Sequence, residues 1–128
     1  MAVNIFTLSQ SKRTPEVIFD VEKALLVFNG CSLPEDVFDF YTPLIEWIES
    51  NKKDIETLPF LMILINLQYF NSSTLKFLVS LIKMLFEFKT KESIIVTWLV
   101  EPDDEDMRET AKEISSVLDI PFTIEVKQ

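Results

Sequence analysis

The sequence predicts an α/β fold, a mixed β-sheet with helices packed against it in the order ββαβαβαβ, and three observations lead there. Residues 59–69 hold an apolar run, Phe60-Leu61-Met62-Ile63-Leu64-Ile65-Asn66-Leu67, which is apolar on both faces like a central strand covered on both sides. Segments of helical apolar period alternate with segments rich in Val, Ile and Thr, and that alternation implies helices crossing over a largely parallel sheet. With 128 residues and 48% hydrophobic content, the chain reads as one compact domain over 1–128, burying roughly two-thirds of its unfolded surface.

Residues 1–15 are of mixed polarity and end in Ser11-Lys12-Arg13-Thr14-Pro15, so they read as an N-terminal arm. Glu16–Asp20 and Ala24–Asn29, separated by Val21-Glu22-Lys23, form a predicted hairpin that Gly30 closes. Ser32-Leu33-Pro34-Glu35 is a helix-entry pattern, with Ser32 as N-cap, Pro34 in the first turn, and Glu35 and Asp36 at the positive end of the dipole. Val37, Phe38, Tyr41, Leu44, Ile45 and Ile48 then follow helical spacing, and Pro43 predicts a kink or restart near Tyr41.

After the central strand, a helix is expected over Ser73–Phe88, a charged turn over Lys89–Glu92 and a strand over Ser93–Val100. The acidic link Glu101-Pro102-Asp103-Asp104 leads into a helix through Asp119, whose apolar positions are Met107, Ala111, Ile114 and Leu118. Ile120–Val126 is a closing strand. Trp47 and Trp98 read as core residues.

Composition excludes several functions. There is no histidine, which removes Ser-His-acid and Cys-His nucleophile systems along with the commonest metal ligand. A single glycine cannot build a phosphate-cradling loop of the P-loop or Rossmann kind. The net charge of −9, with no Lys/Arg cluster, argues against nucleic acid as a partner. Cys31 has no thiol to pair with inside the chain, so a reducing cytoplasm is the expected home. The N-terminus has no basic region followed by an apolar stretch, and the run Leu58–Leu67 is too short to span a membrane, so neither a signal peptide nor a membrane segment is expected.

The most informative segment is Tyr69-Phe70-Asn71-Ser72-Ser73-Thr74-Leu75-Lys76, where three consecutive hydroxyls sit between strand and helix. At a helix N-terminus, free backbone N–H groups and the dipole favour an anion, so a phosphoryl group would be well placed there. Ordinary N-capping accounts for the same residues. The following helix has a narrow polar stripe of Lys76, Ser80, Lys83 and Glu87, leaving Phe77, Leu81, Met84 and Phe88 beside it. These flanking residues read either as an exposed apolar strip that marks a protein interface or as positions covered by neighbouring helices. The acidic group Glu101, Asp103, Asp104, Glu105 and Asp106 lacks EF-hand spacing and reads as a helix start, with metal binding as the rival interpretation.

Taken in order, Thr14-Pro15-Glu16-Val17 with Phe19-Asp20, Gly30-Cys31-Ser32-Leu33-Pro34-Glu35-Asp36 with Phe40-Tyr41, Pro43-Leu44-Ile45-Glu46-Trp47 and Leu67-Gln68-Tyr69-Phe70-Asn71-Ser72-Ser73 resemble the SiaC family of bacterial regulatory phosphoproteins. Trp98, Asp103-Asp104-Glu105-Asp106-Met107 and Pro121-Phe122 extend the resemblance over nearly the whole chain. It implies a fold like that of the anti-sigma-factor-antagonist (STAS) domains and a non-enzymatic signalling role without cofactor.

It further implies that a Ser/Thr kinase modifies the hydroxyl after Asn71, which is Ser72, with Ser73 and Thr74 as alternates, and that a PP2C-type phosphatase reverses this. The unmodified form is then expected to bind a diguanylate cyclase or other effector and so to affect cyclic-di-GMP and biofilm formation, and the hydroxyl cluster with the apolar strip beside it places that contact on Asn71, Ser73, Lys76, Phe77, Leu81 and Met84. The chain departs from the commoner family pattern at Gln68 and at Thr74-Leu75, which bears on the choice of kinase and target. An anti-sigma-factor antagonist is the alternative, although Asn71 stands where that class carries Asp and no glycine follows the serines. Self-association as a homodimer is left open by the sequence.

Overall fold

Six strands pair in the order of the chain to make one mixed sheet, seen in a computed structural model that describes residues 4–128. β1 (Ile5–Leu8), β2 (Glu16–Asp20) and β3 (Leu25–Ser32) form an antiparallel meander. β4 (Leu61–Phe70), β5 (Ile94–Val100) and β6 (Phe122–Val126) then add in parallel to β3. The connections are α1 (Val37–Ser50) and the short α2 (Lys52–Glu56) before β4, α3 (Ser72–Phe88) before β5, and α4 (Glu105–Leu118) before β6.

Successive parallel strands always step in the same direction across the sheet. Right-handed crossovers therefore place all these helices on one face. Burial follows this arrangement: Leu26, Phe28, Ile63, Ile65, Val96 and Trp98 point into the core, against Leu44 and Ile48 of α1, Leu78, Ile82 and Leu85 of α3, and Ala111 and Ile114 of α4. Leu25, Val27, Met62 and Leu64 point the other way and are only partly covered, and Ile95 is exposed. The expectation that the central strand is covered on both faces is thus corrected, because among the described residues no helix crosses to the second face.

Other expectations about elements also change. The N-terminal arm contains β1, whose Phe6 and Leu8 pair with Phe19 and Val17 and turn toward the helices, with Phe6 5.9 Å from the Trp47 ring. The strand order therefore starts with three strands rather than two; residues 1–3 of the predicted arm lie outside the described residues. Gly30 does not close the hairpin. It lies inside β3 at φ +119, where the register with β4 shifts before Cys31.

Ser32 is the last residue of β3 and is buried, while Asp36 caps α1 by accepting from Asp39 N at 3.1 Å. α1 runs unbroken through Pro43, which sits on its exposed side, where water can reach the carbonyl that lacks a partner. Trp98 is fully buried as predicted, and Trp47 is half-buried against Phe19. Among the described residues, no helix is long and apolar enough to cross a membrane.

Candidate functional site

β4 carries the chain out of the sheet centre and hands it to α3 through a single residue, Asn71. Asn71 is extended, with φ −87 and ψ 170, and its Oδ1 accepts from Thr74 N at 2.8 Å, the bond expected of an N-cap. The same residue is tied to the loop after β3, donating from its backbone N to Ser32 O at 3.2 Å and from Nδ2 to Pro34 O at 3.5 Å. The start of α3 is therefore held against the segment that leads into α1.

The three hydroxyls that follow have separate environments. Ser72 and Ser73 are exposed in the first turn of α3, where backbone N–H groups have no intrahelical acceptor. Thr74 is fully buried: its Oγ1 donates to Ser32 O at 3.1 Å and shares a 2.9 Å hydrogen bond with Ser32 Oγ. Ser32 Oγ lies 2.7 Å from the Tyr41 hydroxyl, completing a buried hydroxyl cluster between β3, α1 and α3. Burial pushes the Tyr41 phenol up to about 12 from its ordinary 10, with the Ser32 hydrogen bond opposing that shift. Of the three predicted acceptors, only Ser72 and Ser73 are presented at the surface.

Beside this turn, α1 and α3 flank a groove of about 690 Å³. Tyr41 stacks on Phe77 within it, rings 4.0 Å apart and 11° from parallel. Ile45, Leu81 and Met84 extend the apolar lining, and Phe38, at 79% exposure, stands at the edge. Glu35 and Asp36 supply carboxylates, while Lys76 is the one cationic lining residue.

Phe77 and Met84 are half-buried, as a partly covered strip requires. Leu81, expected beside them in the strip, is buried at 1% exposure because it also packs into the core beneath the groove. The fourth member, Phe88, does not line the groove and lies under the Lys52 ammonium, 5.1 Å away. The sequence reading does not single out the α1 side of the groove, Val37, Phe38 and Ile45. The helical period marked those residues as apolar, and only α3's position shows that they border a groove rather than enter the core.

Helix geometry separates the two exposed serines. Successive side chains point about 100° apart, so Ser73 shares a row with Phe77, Ser80 and Met84 and lines the groove. Ser72 shares its row with Lys76, Val79 and Lys83, on the ridge between that groove and the cleft that α3 makes with α4.

The acidic group at the start of α4 is accounted for locally, since Asp104 Oδ1 accepts from Met107 N at 3.0 Å and Glu105 and Asp106 lie in the first turn. Among the described residues, no three His, Cys, Asp or Glu side chains gather as a metal site.

Comparison with known proteins bears on the family and the fold. Residues 8–127 match the SiaC family of regulatory phosphoproteins. No curated protein sequence matches. Among solved structures, SiaC of Pseudomonas aeruginosa superposes with a TM-score of 0.76 at 20% identity, covering 96% of this chain and 97% of that one. A chain in the crystal structure of diguanylate cyclase SiaD in complex with its activator SiaC, also from Pseudomonas aeruginosa, gives a TM-score of 0.82 at 22% identity, covering 95% and 99%. Apo-SiaC from the same organism gives 0.76 at 20%, covering 97% and 98%. At these identities the structural neighbours establish the fold, and the family follows from the match across residues 8–127: the chain belongs to the SiaC family of regulatory phosphoproteins.

Proposed function

We propose that this protein is a non-enzymatic switch in cytoplasmic signalling. Its unmodified form binds a diguanylate cyclase and promotes cyclic-di-GMP synthesis, and phosphorylation of Ser72 by a Ser/Thr kinase turns it off until a PP2C-type phosphatase restores it. The observation that carries this reading is an exposed Ser72 at the first position of α3, one residue from an apolar groove. Family membership supports the phosphoprotein role, and the complex formed by a structural neighbour supports the class of effector.

The physics needs two opposing terms. Within the chain, a phosphoserine adds about −1.5 to −2 charges at a site where the helix dipole favours an anion by roughly 0.3–1 kcal/mol, and Lys76 lies one turn on. Against a partner, the same dianion must shed water and meet whatever charge faces it, and like-charge contacts cost several kcal/mol. About 2.7 kcal/mol already corresponds to a hundredfold change in affinity.

The test is calorimetric binding of a diguanylate cyclase from the same organism to the unmodified chain and to the chain with phosphoserine installed at position 72. Roughly hundredfold weaker binding of the modified form is expected, with cyclic-di-GMP output falling in step. Ser72→Ala should bind like the unmodified chain and stay insensitive to the kinase. Equal affinity of the modified and unmodified forms would reject the switch.

A further inference from the structure

β3, β4 and β5 contain no Asp, Glu, Lys or Arg, so the middle of the helix-free face of the sheet carries no formal charge in a chain of net charge −9. Strand register sets its side chains in rows: Leu25 beside Met62 beside Ile95, then Ile18 beside Val27 beside Leu64, then Asn29 beside Asn66. Ile95 is 43% exposed, and the other apolar members are only half-buried. We infer that this face is where the chain pairs with a second copy of itself, sheet against sheet.

Self-match identifies the occupant. A two-fold axis along β4 lays β3 of one copy over β5 of the other, so Leu25 meets Ile95 and Met62 meets Met62, while the Asn66 amides, each able to donate and accept, meet one another. Apolar rows thus cover apolar rows. A partner chosen by charge finds nothing to hold in the middle of the face. The acidic groups stand at its margins, Glu16 and Asp20 on β2 and Glu125 on β6, and two twisted sheets crossing at about 30° carry those corners apart.

Size sets the strength. Five strand spacings of about 4.8 Å and roughly 20 Å of strand give each face about 500 Å², so two copies bury about 1,000 Å² together. That is the lower bound for a specific interface and predicts a reversible dimer, with Kd roughly tens to hundreds of micromolar. Long-range repulsion between two chains of net charge −9 opposes pairing. Added salt should therefore tighten it, the reverse of an interface held by ion pairs. The face lies across the sheet from α3 and its serines, so the inference stands apart from the phosphoswitch.

The experiment is analytical ultracentrifugation of the full chain from about 1 μM to about 1 mM in low and high salt, with methyl NMR of the wild type across the same range. The mass should rise from one chain toward two, with pairing about tenfold tighter in high salt. Methyl shifts of Ile18, Met62 and Ile95 should follow concentration while Met84 on α3 stays fixed. Ile95→Lys, at a position already open to solvent, should weaken pairing about tenfold or more by burying a charge, although it reduces the net negative charge. Val117→Lys, the same kind of change at a 72% exposed site on α4, should leave pairing unchanged.

A single-chain mass at every concentration and in both salts would overturn the inference, as would a dimer that salt dissociates or that Ile95→Lys leaves intact. Concentration-dependent shifts confined to Met84 and its neighbours on α3 would overturn it too, by moving the contact to the helix side. Should Ile95→Lys fail to fold, the wild-type shifts and the salt series still decide. Loss of cyclase binding in a folded Ile95→Lys, with wild type monomeric throughout, would likewise overturn it and give the face to the effector.

Discussion

Thr74 and its two serine neighbours differ by single steps of chain, yet one is sealed in the protein and two are open to solvent. The resemblance puts Ser72 first with Ser73 and Thr74 as alternates, but residue type alone does not say which of the three is buried, because burial at this turn depends on Ser32 and Tyr41, 42 and 33 positions away by numbering. Ser32 itself looked like a helix cap and is instead a buried partner, since β3 runs through it to its last pairing with Phe70.

Tyr41 offers a test of this cluster. Its phenol titrates at about 12 in the folded protein and near 10 when unfolded, so between those pH values the unfolded chain releases a proton that the folded one retains. Stability should therefore fall as pH rises from 10 to 12, by roughly 1–3 kcal/mol from this group. Below pH 10 the group contributes no pH dependence. Urea unfolding of wild type and Tyr41→Phe should show a steeper decline for wild type across that interval, and parallel curves would refute the assignment.

Among the elements, α3 is the one whose sequence signals agree most closely with its structure. Asn71 caps it, its apolar period faces the sheet, and its start lies within one residue of the expected Ser73. Replacing Asn71 with Ala should lower stability by about 0.5–2 kcal/mol, read from the shift in the denaturation midpoint. A change within experimental error would mean that the loop contacts alone hold the turn.

β1 went unrecognised because four residues give too little alternation to stand out from an arm, and only pairing with β2 defines them as a strand. At Gly30 the backbone adopts a φ of +119, and an added Cβ would come within 2.7 Å of the Gln10 side chain. That side chain can move, but the dihedral cannot easily be adopted by another residue. Gly30→Ala should therefore destabilise by about 1–3 kcal/mol, measured by thermal melting, through backbone strain.

For the molecule as a whole, sequential strand order with every crossover on one face leaves β3, β4 and β5 in the middle and β1 and β6 at the edges. Native-state hydrogen exchange should therefore be slowest at amides of residues 26–28 and 63–65 and faster throughout β1, which among the described residues pairs on one side only. Uniform protection over all six strands would contradict that order. The same topology explains why the central strand's composition misled: a run apolar on both faces suggests two covering layers, but here one layer of helices covers one face and partial burial by neighbouring strands suffices for the other.

The sequence by itself determined the alternation of strands and helices, a cap-rich junction within Asn71–Thr74, the absence of histidine chemistry and the family resemblance, because each is written in local pattern and residue type. Tertiary structure alone decided which hydroxyls are accessible, that Leu81 belongs chiefly to the core, and that Ser73 and Phe38 border one groove. These depend on how α1 and α3 lie across a common sheet. Contacts between residues distant in the chain fix that packing, and no local period encodes them.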